Sequence, residues 1–174
     1  MRIRRARPSD AQAIHSLVAS YAEQGLLLPR TPEQIQRGIG EFMVAVDRGR
    51  LKGCVALESY SSALAEIRSL AVAPDARGSG LGARLLDTAM KQARRRKIVR
   101  LLAVTRTGGF FEQYGFARLR GGMPAEKVAR DCSQCPKATD CRLQALAIDL
   151  APVRAALPVL QPAQQPRVPR LVPA

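Results

Sequence analysis

Tryptophan is absent from the 174-residue chain, and all aromatics together make up 4% of it. That weighs against the stacking platforms on which single-strand nucleic-acid binders hold bases. The one histidine, His15, falls within the first amphipathic stretch and is given no catalytic part. No apolar run approaches the roughly 20 residues of a membrane span. The basic N-terminus, Met1-Arg-Ile-Arg-Arg, has no apolar segment behind it to make a secretory signal. A soluble, cytoplasmic chain with no membrane partner is expected. Acidic residues are scarce as well, 14 against 28 Lys and Arg, for a net charge of +14. Such a balance invites nucleic acid as a partner. The basic residues are scattered, however, and only Arg94-Arg95-Arg96-Lys97 forms a tight run, near the end of an expected helix where cations oppose the dipole. A small anionic substrate or a phosphorylated cofactor suits that distribution better than nucleic acid does.

What is present is ordinary for a globular protein: 47% hydrophobic and 24% charged residues. The length suits one domain, burying about two-thirds of its unfolded surface. A short strand is expected over 2–6. Pro8-Ser9-Asp10 opens a helix whose Ile14, Leu17, Val18 and Tyr21 share one face, with Gly25 as its stop. Thr31, Pro32 and Gln34 form a capping box with proline at the first helical position. Residues 42–47 and 51–60 read as strands joined by a tight turn at Arg48-Gly49. A third strand spans 65–72, and a long helix spans 80–96 with Leu81, Leu85, Leu86 and Met90 on its apolar face. A strand over 100–105, a short helix over 109–114, a strand from 116 to 119 and a last strand over 143–150 follow. This order describes an α+β domain with a mixed sheet over residues 1–150. Residues 151–174 hold six of the 12 prolines and are expected to form an extended or disordered tail.

The informative passage runs from Glu66 to Gly82. A strand ends at Pro74, and Arg77-Gly78-Ser79-Gly80-Leu81-Gly82 then leads into an amphipathic helix. Glycines let a backbone approach a phosphate closely, the first N–H groups of a helix lack partners, and its dipole is positive there. Arg77 adds a charged donor. A dinucleotide fingerprint needs Gly-x-Gly-x-x-Gly in a βαβ unit, and a Walker loop needs Gly-Lys-Ser/Thr; neither is present. On this Arg-x-x-Gly-x-Gly segment, and on Phe110-Phe111-Glu112-Gln113-Tyr114-Gly115-Phe116 downstream, residues 2–120 resemble the GNAT N-acetyltransferase superfamily. The resemblance implies a central, mostly antiparallel sheet flanked by helices and acetyl-CoA as co-substrate. It assigns the pyrophosphate to Arg77, Gly78, Ser79, Gly80, Leu81 and Gly82, and the pantetheine arm and thioester carbonyl to the backbone of Leu70, Ala71 and Val72. Within the superfamily the chain is similar to short amino-acid acetyltransferases of the N-acetylglutamate synthase kind. That similarity rests on Leu27-Leu28-Pro29-Arg30, Ala65-Glu66-Ile67-Arg68, Thr105-Arg106 and Lys127-Val-Ala-Arg-Asp131-Cys132. It implies L-glutamate as acceptor and a product used in arginine biosynthesis.

Glu66 interrupts an apolar strand. It reads either as a solvent-facing position or as the general base that takes the acceptor ammonium's proton, and the resemblance favours the base. Arg30 and Arg106 match positions that bind substrate carboxylates in the family, a task suited to the guanidinium fork. Arg68 is a third candidate, on the same strand face as Glu66. The family's tyrosine acid is replaced by Phe111, which leaves the general acid unassigned. Another amine acceptor, small or on a protein, and a CoA- or nucleic-acid-binding module without catalysis remain as alternatives, and a homodimer is left open. Of the four cysteines, Cys54 reads as a small core residue. Cys132, Cys135 and Cys141, with Asp131, Pro136 and Asp140 among them, are open to a bound metal, a reversible disulfide or free thiols. They are read as an accessory to acetyl transfer, which itself requires no metal.

Overall fold

A computed structural model describes residues 1–106, 108–133, 135 and 141–150. The expected tail over 151–174, and the positions of Pro136 and Asp140, lie outside the described residues. Strands β1 (Arg2–Arg5), β2 (Phe42–Asp47), β3 (Arg50–Ser59), β4 (Leu64–Val72), β5 (Arg100–Thr105), β6 (Ala117–Arg118) and β7 (Gln144–Asp149) form one sheet in the order β1-β2-β3-β4-β5-β7-β6. Only β4 and β5 run parallel; the other neighbours are antiparallel. Helices α1 (Ala11–Glu23) and α2 (Pro32–Arg37) cover one face, α3 (Leu81–Arg95) covers the other, and the short α4 (Gly109–Glu112) lies between β5 and β6 in the chain. The mixed, mostly antiparallel α+β architecture is the one expected.

Local chemistry explains the elements. Thr31 accepts from the N–H of Gln34, whose side chain returns to the Thr31 N–H, and Pro32 occupies the first turn of α2. Arg48 and Gly49 both have positive φ, 47° and 76°, as a two-residue hairpin matched to strand twist demands. Leu81, Leu85, Leu86, Ala89, Met90 and Ala93 of α3 pack on Met43, Ala45, Val55, Leu57, Ala65 and Ile67. Gly53 permits that approach: a Cβ there would lie 2.9 Å from both the Ala71 carbonyl and Leu85 Cδ1. On the opposite face Ile14, Leu17, Val18 and Ile35 pack on Phe42, Val44, Cys54 and Ala56. Cys54 is the buried core residue expected.

Two irregularities shape the centre of the sheet. Between Cys54↔Ala71 and Ala56↔Arg68 one residue of β3, Val55, faces two of β4, Ser69 and Leu70, with Ser69 at φ 51°. Such a bulge re-aims the strand, so that Ala65 and Ile67 but also Leu70 and Val72 meet the α3 core. The parallel pairing of β4 with β5 ends at Ile67↔Ala103, whereas β5 continues beside β7 to Thr105↔Gln144. Beyond Ile67 the two central strands part. The segment 125–132 differs from expectation by adding an element: α5 (Ala125–Lys127) runs into a π-helical turn, Val128–Cys132.

Candidate active site

The Gly-rich segment builds an open backbone cradle at the C-terminal end of β4. Gly78 and Gly80 have φ of 74° and 73°, and a Cβ on either would meet nothing within 4 Å. The N-cap of α3 is Gly80, without a side-chain cap, so the N–H groups of Leu81, Gly82 and Ala83 keep no intrahelical partner. Ser79 donates to the Ala76 carbonyl at 2.6 Å, which closes the turn. Arg77 donates from Nε to the Tyr21 hydroxyl at 3.2 Å and lies over that ring, and Tyr21 donates in turn to the Val72 carbonyl at 2.6 Å. An anion with extended phosphates fits this donor set: unpaired N–H groups, a guanidinium and the positive end of a 15-residue helix.

Before the bulge, alternate residues of β4 point away from α3, and there the charged side chains gather. Glu66 is 3% exposed, so the solvent-facing alternative for it does not hold. Its in-register neighbour on β3 is Glu58. Arg68 Nη1 lies 2.8 Å from Glu58 Oε2 and 3.1 Å from Asp131 Oδ2, and its Nε is 4.0 Å from Glu66 Oε2. Arg30 pairs with the other Glu58 oxygen and sits over the Phe42 ring. Arg130 reaches Glu58 at 3.3 Å and Asp131 at 3.0 Å, with its guanidinium carbon 3.8 Å from the Tyr60 ring centre. Lys127, 4% exposed, donates to Glu66 Oε2 at 2.9 Å, to Asp131 Oδ2 at 3.0 Å and to the Tyr60 oxygen at 3.1 Å. The Tyr60 hydroxyl makes a short hydrogen bond to Glu66 Oε2 and lies 2.8 Å from Asp131 Oδ2.

Four cations (Arg30, Arg68, Lys127, Arg130) thus face three carboxylates (Glu58, Glu66, Asp131) in one half-buried cluster. Burial works to raise the Glu58 carboxyl, but Arg68 and Arg30 outweigh it and hold it below its ordinary value. Burial opposes ionisation of Asp131 too. Hydrogen bonds from Arg130 and Lys127 and the charge of Arg68 prevail, and hold it far below the usual carboxylate range. Burial and then the charge of Glu66 push the Tyr60 hydroxyl well up, so it stays protonated.

Of the residues expected from the sequence, Glu66, Arg30 and Arg68 meet in this cluster. Arg106 is exposed in the bend after β5, beyond the last β4–β5 pair Ile67↔Ala103, and is not brought into the cluster. Phe111 is buried edge-on between Phe110 and Phe116, and Tyr114 packs on Phe110. His15 is half-buried on α1. The three clustered cysteines carry free thiols, half-buried at Cys132 and Cys135 and exposed at Cys141. Among the described residues no group of three His, Cys, Asp or Glu side chains is placed to hold a metal ion. Sequence reasoning missed Glu58, Tyr60, Lys127, Arg130 and Asp131 as site residues. Their one sequence signal was the Lys127-x-x-x-Asp131 spacing, which puts both on one side of a helical turn.

Comparisons with known proteins bear on this geometry. A family model described as an acetyltransferase (GNAT) domain matches residues 38–118. An uncharacterised N-acetyltransferase of Chlorobaculum tepidum is 36% identical over 139 residues, 80% of this chain and 90% of that one. An amino-acid acetyltransferase of Mycobacterium tuberculosis is 36% identical over 122 residues, 68% of this chain and 70% of that one. The amino-acid acetyltransferase of Neisseria meningitidis is 40% identical over 116 residues, 66% of this chain, and the match spans only 27% of its length. Among solved structures, N-acetylglutamate synthase from Neisseria gonorrhoeae, complexed with coenzyme A and N-acetyl-glutamate, superposes with a TM-score of 0.76 at 32% identity. That match covers 86% of this chain and 35% of the synthase. Among the described residues, no helix is long and apolar enough to cross a membrane.

Proposed function

The chain belongs to the GNAT acetyltransferase family and is an N-acetyltransferase; from that premise we propose that it transfers the acetyl group of acetyl-CoA to the α-amine of an acidic amino acid, L-glutamate. One observation carries the choice of acceptor. The cluster around Glu66 holds four cations against three carboxylates, a surplus that suits an acceptor bringing carboxylates and disfavours one of net positive charge such as lysine. The relatives' names, amino-acid acetyltransferase and N-acetylglutamate synthase, support the same reading.

In the proposed reaction Arg77 to Gly82 hold the pyrophosphate of acetyl-CoA, and the N–H groups of Leu70, Ala71 and Val72 polarise the thioester carbonyl. Arg30 and Arg106 orient the acceptor carboxylates, with Arg68 beside them. Glu66 accepts a proton from the acceptor ammonium, directly or through water, a contribution of about 10²–10⁴-fold. The freed amine attacks the thioester carbon, the C–N bond forms, the C–S bond breaks, CoA leaves as its thiolate, and the second proton on the attacking nitrogen passes to that thiolate or to water. A thiol of pKa about 8.5 needs little help to leave, which makes the loss of the tyrosine at position 111 tolerable. Holding both substrates in line supplies much of the rate.

A thiol-release assay with acetyl-CoA and a panel of amino acids tests the proposal. Turnover is expected with L-glutamate and little with lysine or with neutral amino acids. Absence of turnover with any acidic amino acid overturns it.

A further inference from the structure

Glu66 is tethered by one oxygen. Among the described residues its polar contacts all fall on Oε2: the hydroxyl of Tyr60, the Nζ of Lys127 and, at 4.0 Å, the Nε of Arg68. We infer that Lys127 and Tyr60 are positioning residues for the base: they clamp Oε2 and reserve Oε1 for the proton of the acceptor ammonium. The inference rests on the proposed role of Glu66 as base.

The surroundings make such a clamp necessary. Glu66 stands directly opposite Glu58 on the same face of the sheet, and like charges opposite one another repel. The charged and titratable groups around it are Glu58 on β3, Tyr60 in the β3–β4 turn, Arg68 on β4, Lys127 on α5, and Arg130 with Asp131 in the π-helical turn. Arg30 joins them through Glu58. Arg68 spends its short contacts on Glu58 and Asp131, which leaves Lys127 as the counter-ion in direct contact with Glu66. All three ammonium hydrogens of Lys127 are engaged, by Glu66, Asp131 and Tyr60, so its Nζ has a defined seat. Lysine is rarely buried unless paired, and this one is supplied by a three-residue helix. Tyr60 is fixed from both ends: its N–H donates to the Leu64 carbonyl at 2.8 Å, and Arg130 stacks on its ring. Two anchored donors on one oxygen set the direction of the carboxylate, and about 1 Å of misplacement in a reacting group costs about 10²-fold in rate.

A kinetic cycle tests this, with L-glutamate and acetyl-CoA as substrates and Glu66→Gln, Lys127→Met, the double variant and Tyr60→Phe as proteins. Glu66→Gln is expected to lower kcat at least about 10²-fold, and Lys127→Met about 10²-fold with the KM for acetyl-CoA unchanged. The double variant is expected to have a kcat no lower than that of Glu66→Gln, because the effect of Lys127 on the chemical step passes through Glu66. Tyr60→Phe, which removes one oxygen, is expected to lose about 10-fold. If Lys127→Met leaves Glu66 unpaired and does not fold, the cycle of Glu66→Gln with Tyr60→Phe decides by the same criterion. Multiplying losses in the double variant, or full kcat in Lys127→Met and Tyr60→Phe while Glu66→Gln is impaired, overturn the clamp and leave the base standing. Full kcat in Glu66→Gln, or no acetyl transfer to L-glutamate by the unmodified protein, overturns the proposed function and the clamp together.

Discussion

The hydroxyl of Tyr21 donates to the carbonyl of Val72 at 2.6 Å, fastening α1 to the last residue of β4. The same oxygen accepts from Arg77 Nε, and the Tyr21 carbonyl accepts from the N–H of Leu26 at the start of the loop that carries Arg30. One residue thus joins the cradle and the central strand through its side chain and the loop that carries Arg30 through its backbone. Tyr21→Phe keeps the ring and removes the hydrogen bonds. It is expected to destabilise the fold by about 1 kcal/mol and to raise the KM for acetyl-CoA several-fold with little change in kcat. Denaturant unfolding and initial rates measure the two effects. A stability loss with an unchanged KM makes the contact purely architectural.

Gly80 carries a second expectation. At φ 73° it occupies the left-handed region, where a side chain costs about 1–2 kcal/mol. The space around it is open, so steric conflict within the protein is not the issue. Gly80→Asp adds a negative charge where the proposal sets the pyrophosphate, and the KM for acetyl-CoA is expected to rise at least 10-fold. Gly80→Ala shares the backbone strain without the charge and separates the two effects. An unchanged KM in the Asp variant removes the cradle from this segment.

The sheet and α3 were legible because their signals are local. Leu81, Leu85, Leu86 and Met90 repeat at helical spacing, the Thr31–Gln34 box marks a start, and Arg48-Gly49 marks a turn; each appears where expected. Glu66 with Arg68 two residues on was legible as a shared strand face for the same reason. The Ser69 bulge was not, since nothing in Arg68-Ser69-Leu70 favours a positive φ; neighbouring strands impose it. Nor was the site's second half. Lys127 sits in a three-residue helix with no apolar periodicity, and its burial depends on Glu66, 61 residues earlier in the chain. Tyr60 looked like the end of a strand, and only the fold turns its hydroxyl onto that carboxylate.

Acid titration probes the charged cluster as a whole. Asp131 and Glu58 both have native pKa values below their ordinary ones, their ion pairs outweighing burial. A carboxylate of this kind stabilises the native state at pH above its unfolded value of about 4, and that contribution is lost as pH falls through the native value. Unfolding free energy is therefore expected to hold steady from neutral pH down to about pH 5 and to fall below about pH 4. Asp131→Asn is expected to be less stable at pH 7, with cations left short of a partner, and to show a shallower decline in acid. Denaturant unfolding at pH 7, 5, 4 and 3 measures both. Parallel curves for the two proteins would mean that Asp131 is not ion-paired in solution.

The clustered thiols give the last prediction. Burial pushes the Cys54 thiol up to about 12, and its sulfur lies 3.3 Å from the Ser69 carbonyl, so it is a packing group and chemically inert. Burial also raises Cys132, with Asp131 and the thiols of Cys141 and Cys135 adding to it and Lys127 opposing. The Cys135 N–H donates to the Cys132 carbonyl at 3.1 Å, which brings that pair into one turn. Since the thiolate is the reactive form and access is required, a thiol reagent at neutral pH is expected to modify the exposed Cys141 first and Cys54 last. Cys132 follows Asp131 directly, yet no step of the proposed transfer uses sulfur from the protein. Replacing Cys132, Cys135 and Cys141 together by Ser is therefore expected to leave kcat and both KM values unchanged, whatever it does to stability or to metal content measured in protein purified without chelator. Loss of the chemical step with folding and acetyl-CoA binding intact would place the thiols in the active site and end their reading as an accessory.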